Sequence, residues 1–406
     1  MIVDRLSLAA KSLSVRKLPV LLSLLAIALS VGLIVVTEKV RSGVREGFEN
    51  TITSTDLVVG ARTGPLSVVL YSIFRLGDPL QSVSWETYQL VDNHRDVAWT
   101  VPLSLGDSHR GYRVLGTDER YLQHYRYGDE QSLSFAQGGW TKDLKDTVIG
   151  AEVARSLGYK VGDTIVLSHG IVSVGFADHT DDPFTVVGIF APTGTPVDRT
   201  VHVSLRGLEA IHTTSEQVDS IQPKAVTAFL VGMKSRPLVL RFQRLLNTYS
   251  DEPLTAVIPG VALSRLWSVI APIENLLRGI TFLVFAIGMI GLSTTLLSSL
   301  AGRKRELAVL RAVGAKPRDL LTVLMVEAII TSLGGVILGL LFAYLSLLTL
   351  GPWLRSSFGL VIEATAPGQF DAMVVLAVLA VGMIAGLVPG IAAYRQGLNE
   401  SLSSDA

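Results

Sequence analysis

The sequence predicts an integral membrane protein with four transmembrane α-helices and one large α+β domain inserted between the first and second helices. Three observations lead to this fold class. Of the 406 residues, 49% are hydrophobic and only 17% are charged, whereas soluble proteins carry about 25% charged residues. The apolar residues concentrate in four runs, each long enough to cross about 30 Å of hydrocarbon, which takes about 20 residues. A long stretch of mixed character, 38–270, separates the first run from the second.

The four apolar runs are the predicted transmembrane segments. The first follows Arg16 and Lys17, as a signal peptide would, but its apolar stretch is too long and no small-residue cleavage site follows it. We therefore interpret it as a retained membrane anchor. The predicted segments are 18–37, 279–300, 319–350 and 371–394.

Positively charged residues predict the orientation of these segments. The segment 301–318 is rich in Lys and Arg, as is the N-terminal stretch 1–17, whereas 351–370 contains a single arginine. Because Lys and Arg near a membrane accumulate on its cytoplasmic side, we expect 1–17, 301–318 and the tail 395–406 in the cytoplasm. The long region 38–270 and the short loop 351–370 then lie outside the membrane.

The outer region 38–270 alternates short β-type runs with turns. Strand-forming residues dominate 184–190, while 151–157 has the apolar spacing of a helix and is followed by Gly158. We expect an α+β domain with stalk helices next to the membrane and a distal part inserted at about 118–212.

The same region contains all seven histidines but few signs of chemistry. The chain has no cysteine, no two histidines share a short spacing, and no serine lies in a Gly-x-Ser-x-Gly sequence. We therefore predict no catalytic centre and no bound metal. The alternative is a metal site at His179 with Asp181 and Asp182. The zero net charge gives no sign of a nucleic-acid partner.

Small residues recur at a four-residue spacing in the last two spans. Gly335 with Gly339 and Gly382 with Gly386 form small-xxx-small pairs, which let helices approach closely. The pairs fit packing within one subunit or a dimer interface. Glu327 is expected at the membrane edge, where it pairs with the cytoplasmic loop or lines a transport pathway.

The cytoplasmic segment 302–317 has the most informative order of residues. It is predicted to form a short amphipathic helix that stops at Gly314, with Pro317 opening the next helix. Composition alone also fits a solvated basic loop. The charged and helix-forming positions of this segment are Arg303, Lys304, Arg305, Glu306, Leu307, Leu310, Arg311 and Gly314.

This segment resembles the coupling helix of the permease family that includes the macrolide exporter MacB, the lipoprotein-releasing permeases LolC and LolE, and the cell-division permease FtsX. In that family an Arg-x-Arg-Glu sequence runs into Arg-Ala-hydrophobic-Gly-Ala, and here the pattern spans 303–315. The resemblance implies that the eight positions named above couple this segment to a separate cytoplasmic ATPase. Further matches follow in the expected order. The stretch 150–165 resembles the family's strand-helix-strand signature, and 389–395 resembles its exit from the last span.

The resemblance implies a MacB-like periplasmic core domain at 38–270 and a location in the bacterial inner membrane. It also implies partners: a second permease, identical or not, and cytoplasmic ABC ATPase subunits. The macrolide exporter carries its ATPase on the same chain, but no Gly-x-x-x-x-Gly-Lys-Ser/Thr loop occurs here. We therefore expect no enzyme activity and no cofactor on this chain, with ATP and Mg bound by a separate ATPase.

Two functions remain open under this resemblance. In the first, the chain is the permease of an ATP-driven transporter that extracts or exports a hydrophobic or proteinaceous cargo, such as a lipoprotein, a lipid or a peptide. In the second, it transmits mechanical force that regulates a periplasmic partner protein without moving cargo. Membrane lipid surrounds the chain in both cases.

Overall fold

The computed structural model describes residues 17–302 apart from 50, 52, 170–182 and 212–221, and then 317–358 and 366–403. The chain divides into two compact units. The helical unit comprises Met1–Gly43, Ala271–Trp353 and Ile362–Ala406. The sheet unit comprises Val44–Ile270 and Leu354–Val361.

Ten α-helices and fifteen short or long strands lie in the described residues. The helices are α1 (Lys17–Glu49), α2 (Pro65–Ser72), α3 (Trp85–Asp92), α4 (Arg120–His124), α5 (Ala151–Leu157), α6 (Leu205–Ile211), α7 (Leu238–Asn247), α8 (Pro259–Gly302), α9 (Pro317–Phe358) and α10 (Gln369–Ser403). The strands are β1 (Leu57–Ala61), β2 (Val83–Ser84), β3 (Val97–His109), β4 (Tyr112–Thr117), β5 (Arg126–Tyr127), β6 (Gln131–Ser132), β7 (Phe135–Gly138), β8 (Asp146–Ile149), β9 (Thr164–Ile165), β10 (Ser168–His169), β11 (Phe184–Phe190), β12 (Thr200–Ser204), β13 (Ala225–Val226), β14 (Ala228–Met233) and β15 (Leu254–Val257).

Four long helices, α1, α8, α9 and α10, form the helical unit. Each is long and apolar enough to cross a membrane, with mean hydropathies of 2.8, 1.7, 2.2 and 2.3 in chain order. Many of their leucines, such as Leu18 and Leu338, are exposed, while a small core of Ile27, Val31 and Val336 is buried. Exposed leucines are what a lipid-facing helix surface requires, because the hydrocarbon is as apolar as the side chain.

The sheet unit is built on one mixed sheet whose main path runs β15-β1-β14-β3-β4-β12-β8-β11-β7. The pairs β4–β12 and β8–β11 are parallel and the other neighbours are antiparallel. The long strand β3 belongs to both halves of the sheet, since it pairs with β14 along its first part and with β4 along its second. One continuous set of backbone hydrogen bonds therefore holds the unit together.

Both faces of the central sheet are covered. In β14, Leu230 lies in one core with Leu103 and Leu115, while Phe229 and Val231 lie in a second core on the other side. Alternating side chains of a strand point to opposite faces, so a strand buried on both faces is apolar throughout. This explains why every residue of β14 is buried.

The strand expected at 184–190 and the helix expected at 151–157 are confirmed as β11 and α5. Gly158 ends α5 with φ of 74°, the left-handed conformation that favours glycine at a helix C-terminus. The distal part expected at about 118–212 contributes β8, β11 and β12 to the same sheet as β4. A boundary at 118 therefore divides neighbouring strands of one sheet.

Candidate transmission site

The helices α1 and α8 carry charged residues beyond their most apolar turns, and these residues form an ionic network. Arg41 Nε donates to Glu38 Oε2 at 3.0 Å within α1. Between the helices, Arg41 Nη1 lies 3.9 Å from Glu274 Oε2, and Arg278 Nη2 lies 3.8 Å from Glu38 Oε2. Four charges of alternating sign therefore connect α1 with α8.

This network orients the helices more than it stabilises them. Its four side chains are all partly exposed, and an exposed ion pair contributes about 0.2–1 kcal/mol. The attraction is also screened by salt over about 8–10 Å. The network therefore contributes little to the stability of the α1–α8 contact.

A second polar cluster joins α1, α9 and α10. Asp371, whose side chain is 2% exposed, accepts hydrogen bonds at Oδ2 from the Gly368 N–H at 2.7 Å and from the Tyr344 hydroxyl at 3.1 Å. Lys39 Nζ lies 3.7 Å from the same oxygen and 5.9 Å from the centre of the Tyr344 ring. We call Lys39, Tyr344 and Asp371 the Asp371 cluster. The carboxylate lies in the first turn of α10, where the helix dipole favours a negative charge.

Glycines set the distance between α1 and α9. A Cβ at Gly335 would lie 2.6 Å from Ile27 Cγ2, and a Cβ at Gly339 would lie 2.7 Å from the Ala28 carbonyl oxygen. Neither distance is compatible with a side chain, so both glycines permit a contact that a larger residue would prevent. The structure places this pair of glycines in packing within the chain.

The other glycine pair lies on α10. A Cβ at Gly382 would lie 2.1 Å from Ser332 Oγ, so this glycine packs against α9. Gly386 is also buried. Sequence reasoning missed Gly32 on α1, where a Cβ would lie 2.7 Å from a Phe342 ring carbon. Its signal was present, because Ala28 and Gly32 have the small-xxx-small spacing.

Glu327 is 2% exposed within α9. Its backbone carbonyl accepts a hydrogen bond from the Thr331 hydroxyl at 2.8 Å. Glu327 is therefore a buried polar residue of the helical unit, in addition to the residues of the ionic network and the Asp371 cluster.

The predicted contact segment lies outside the described residues. Helix α8 ends at Gly302 and α9 begins at Pro317, as expected for proline at the first helical position. The residues Arg303, Lys304, Arg305, Glu306, Leu307, Leu310, Arg311 and Gly314 fall between these two helices, outside the described part of the chain.

The histidines of the sheet unit have structural surroundings. His109 interacts with the Val166 carbonyl at 2.6 Å and with the Tyr159 hydroxyl at 2.9 Å, and burial lowers its pKa. Burial also lowers the pKa of His202 to about 3, with a further contribution from the charge of Arg75. Over the described residues, no group of three or more His, Asp or Glu side chains is arranged to hold a metal ion. His179, Asp181 and Asp182 lie outside those residues.

Fold and site together define a class of protein: a multi-pass membrane protein with four candidate spans, a large mixed α/β domain between the first and second, and polar connections between the helices that flank that domain. Two family models match the chain. The FtsX-like permease C-terminal model matches residues 278–398, and the MacB-like periplasmic core domain model matches residues 20–234. The chain belongs to the MacB/FtsX family of ABC transporter permeases.

A curated relative is an uncharacterised ABC transporter permease of Methanocaldococcus jannaschii, which is 22% identical over 266 residues. The aligned region covers 64% of this chain and 63% of the relative, so it spans less than two thirds of the relative's length. A similar solved structure is the periplasmic region of MacB from Actinobacillus actinomycetemcomitans. The superposed region covers 53% of this chain and 94% of the MacB chain, at 10% sequence identity. Its TM-score of 0.36 is too low to establish a shared fold by itself.

Proposed function

We propose that this chain is the permease subunit of an ATP-driven transporter that transmits the motion of a separate cytoplasmic ATPase to the sheet unit. The work done there extracts or exports a hydrophobic or proteinaceous cargo, such as a lipoprotein, a lipid or a peptide. The carrying observation is that α1 ends shortly before β1 and α8 begins directly after β15, so each helix joins the strands of the sheet unit to a candidate span, α8 with Pro272 in its interior. A helix has a fixed rise of about 1.5 Å per residue, so displacement at one end is delivered at the other.

In this proposal both termini and the segment 301–318 lie in the cytoplasm, since 1–17 and 301–318 are rich in Lys and Arg. The segment docks on the ATPase, which binds ATP and Mg. Arg305 and Arg311 pair with carboxylates there, while Leu307 and Leu310 occupy an apolar slot. A second permease, identical or not, completes the assembly, and the ionic network keeps α1 and α8 of each copy moving together.

The second candidate function is regulation of a periplasmic partner protein without movement of cargo. One surface favours it. Leu76 is 53% and Leu80 is 84% exposed, and the segment between them is fixed to the sheet, because Arg113 contacts Asp78 Oδ1 at 2.6 Å and donates to the Gly77 carbonyl at 2.8 Å. Two apolar side chains on a fixed segment suit contact with another protein.

Co-purification tests the coupling. Tagged wild type is compared with Arg305→Glu plus Arg311→Glu, and bound proteins are identified by mass spectrometry. The matched control is Arg95→Glu plus Arg236→Glu, two exposed arginines of the sheet unit. We expect the ATPase with wild type and with the control, but not with the first pair. If the Arg305→Glu plus Arg311→Glu variant still bound the ATPase, the positive charges of the segment would reflect only its location on the cytoplasmic side of the membrane.

The same experiment separates the two functions. Leu76→Ser plus Leu80→Ser is added to the set of variants. Loss of a periplasmic protein from this variant, with the ATPase retained, favours regulation of a partner. Co-elution of lipid, lipoprotein or peptide with wild type, unchanged in this variant, favours transport.

A further inference from the structure

The sheet unit has an open groove that shares no residue with the ionic network or the Asp371 cluster. It lies between α7, the edge strand β15 and the first turns of α8, with the 62–65 segment along one side. Its volume is about 390 Å³, within the range of about 300–1,000 Å³ typical of small-molecule sites. All of its residues belong to the sheet unit.

The groove is positively charged. Arg62 and Arg265 line it, and no Asp or Glu does. Arg244 is one helical turn from the lining residue Asn247 on α7, so it lies on the same side of that helix. All three arginines are exposed, and within the described part of the chain none of them forms an ion pair. Guanidinium groups match phosphate oxygens in geometry and charge, so the groove suits a phosphate-bearing anion.

The walls of the groove are fixed by hydrogen bonds. The Asn247 side chain accepts from the Ala256 N–H at 2.7 Å and donates to the Ala256 carbonyl at 3.2 Å, and Gln243 donates to the same carbonyl at 3.0 Å. On the opposite side, the Thr63 N–H donates to the Thr255 hydroxyl at 3.1 Å. A site formed before the ligand arrives loses less entropy on binding.

These bonds also argue against a peptide that would add to the sheet. Strand β15 is the first strand on the sheet's main path, and an unpaired edge of this kind can accept a further strand. Here the backbone groups of Ala256 are already bonded to side chains of α7. An extended peptide therefore cannot form backbone hydrogen bonds with the central residue of β15, Ala256.

Apolar surface adjoins the charge. Val261, which lines the groove, is 48% exposed, and Leu240 on α7 is 68% exposed. Leu240 lies three and seven residues before Gln243 and Asn247, which places it on their side of the helix. Charge and apolar surface together match an amphiphile with an anionic head.

We propose that this groove binds the anionic, phosphate-bearing headgroup of a membrane lipid. Arg62 and Arg265, which line the groove, hold the phosphate, and Val261 contacts the start of the acyl chains. The inference goes beyond the transport function, because the site is complete on one chain and needs neither ATP nor the ATPase.

The test is lipid binding to the full-length protein in detergent, measured by native mass spectrometry. The probes are short-chain phosphatidylglycerol, which is anionic, and phosphatidylcholine, which is zwitterionic. The test variant is Arg62→Gln plus Arg265→Gln, and the matched control is Arg95→Gln plus Arg236→Gln, which removes the same charge elsewhere on the sheet unit. We expect phosphatidylglycerol to bind wild type and control more tightly than phosphatidylcholine, and the test pair to lose about tenfold in affinity.

A second variant, Val261→Asp, adds a negative charge to the groove and is expected to weaken phosphatidylglycerol binding as well. Thermal melting of each variant monitors folding separately. Unchanged phosphatidylglycerol binding by folded forms of both variants overturns the proposal. So does complete displacement of the lipid by an equal concentration of inorganic phosphate or of an acidic peptide, because the ligand would then be free phosphate or protein. Absence of an ATPase from the proteins that co-purify with wild type, with lipid binding intact, would overturn the transport function alone.

Discussion

The two units of the molecule differ in the contacts that stabilise each of them internally. The sheet unit buries large aromatic side chains, including Tyr121, Phe190 and Phe229, each 1% exposed or less. The core of the helical unit consists of aliphatic side chains, such as Ile27, Val31 and Ala328, and many leucines of this unit are exposed. In water the burial of a large apolar side chain is favourable, but in lipid it gains little, because the surroundings are equally apolar.

This difference in packing indicates which unit deforms at the lower free-energy cost. The aromatic cores and the continuous hydrogen bonds of the sheet resist deformation, so the sheet unit is suited to move as one body. The helices meet through glycine contacts and a few polar groups, which allow sliding and rotation without exposing apolar surface to water. The helical unit is therefore the part suited to change shape, with the ionic network and the Asp371 cluster as its connections.

The largest expected effect comes from filling a glycine contact. Gly339→Val places a branched side chain 2.7 Å from the Ala28 carbonyl oxygen, and overpacking of this kind costs about 1–3 kcal/mol. We expect a lower thermal midpoint of the protein in detergent. The matched control is Gly291→Val, since among the described residues no atom outside its own helical turn lies within 4 Å of a Cβ at Gly291. An equal fall in both variants would mean that the close contact is unimportant.

A somewhat smaller effect is expected from acid, and only in the sheet unit, because all seven histidines lie in the sequence between its first and last strands. The pKa of folded His202 is lowered to about 3, so the unfolded chain takes up the proton first. Stability is therefore complete above pH of about 6.5 and is lost as pH falls toward 3. The expected loss at pH 5 is about 2 kcal/mol.

Thermal melts of wild type and His202→Phe at several pH values between 7 and 5 measure this effect. The variant should show a weaker dependence on pH in that interval, since its side chain does not titrate. Melts between pH 7 and 9 serve as the control, and there the thermal midpoints of wild type and His202→Phe should depend on pH in the same way. An identical pH dependence of the two proteins between 7 and 5 would assign the acid response to other groups.

The smallest effect is expected from the ionic network. Glu274→Gln removes the contact with Arg41, and we expect a loss of about 0.2–1 kcal/mol that disappears at about 1 M salt, where charges are screened. A double-mutant cycle with Arg41→Gln, measured by thermal melting at low and high salt, isolates the pair. A coupling energy of zero at low salt would leave α1 and α8 connected by packing alone.

Some parts of the fold could be predicted because their signal is local. Helix α5 has helical apolar spacing and is followed by Gly158, and strand-forming residues dominate β11. The strand β3 was not predicted, although it is central to the sheet. Pro102, Gly106 and Asp107 interrupt its pattern, and the pairing with β4 shifts register between Leu105 and Ser108. Pairing with β14 and with β4 makes these residues a strand although Pro102, Gly106 and Asp107 disfavour one locally.

The sequence alone determined the four spans, their expected orientation and the family, because hydropathy, charge and short motifs are written in consecutive residues. Only the tertiary structure brought Lys39 to Asp371 and Arg41 to Glu274, and only it placed Arg62 beside Arg265 in one groove. These residues lie far apart along the chain and carry no shared local pattern. Their meeting depends on how helices and strands pack, which is a property of the folded chain as a whole.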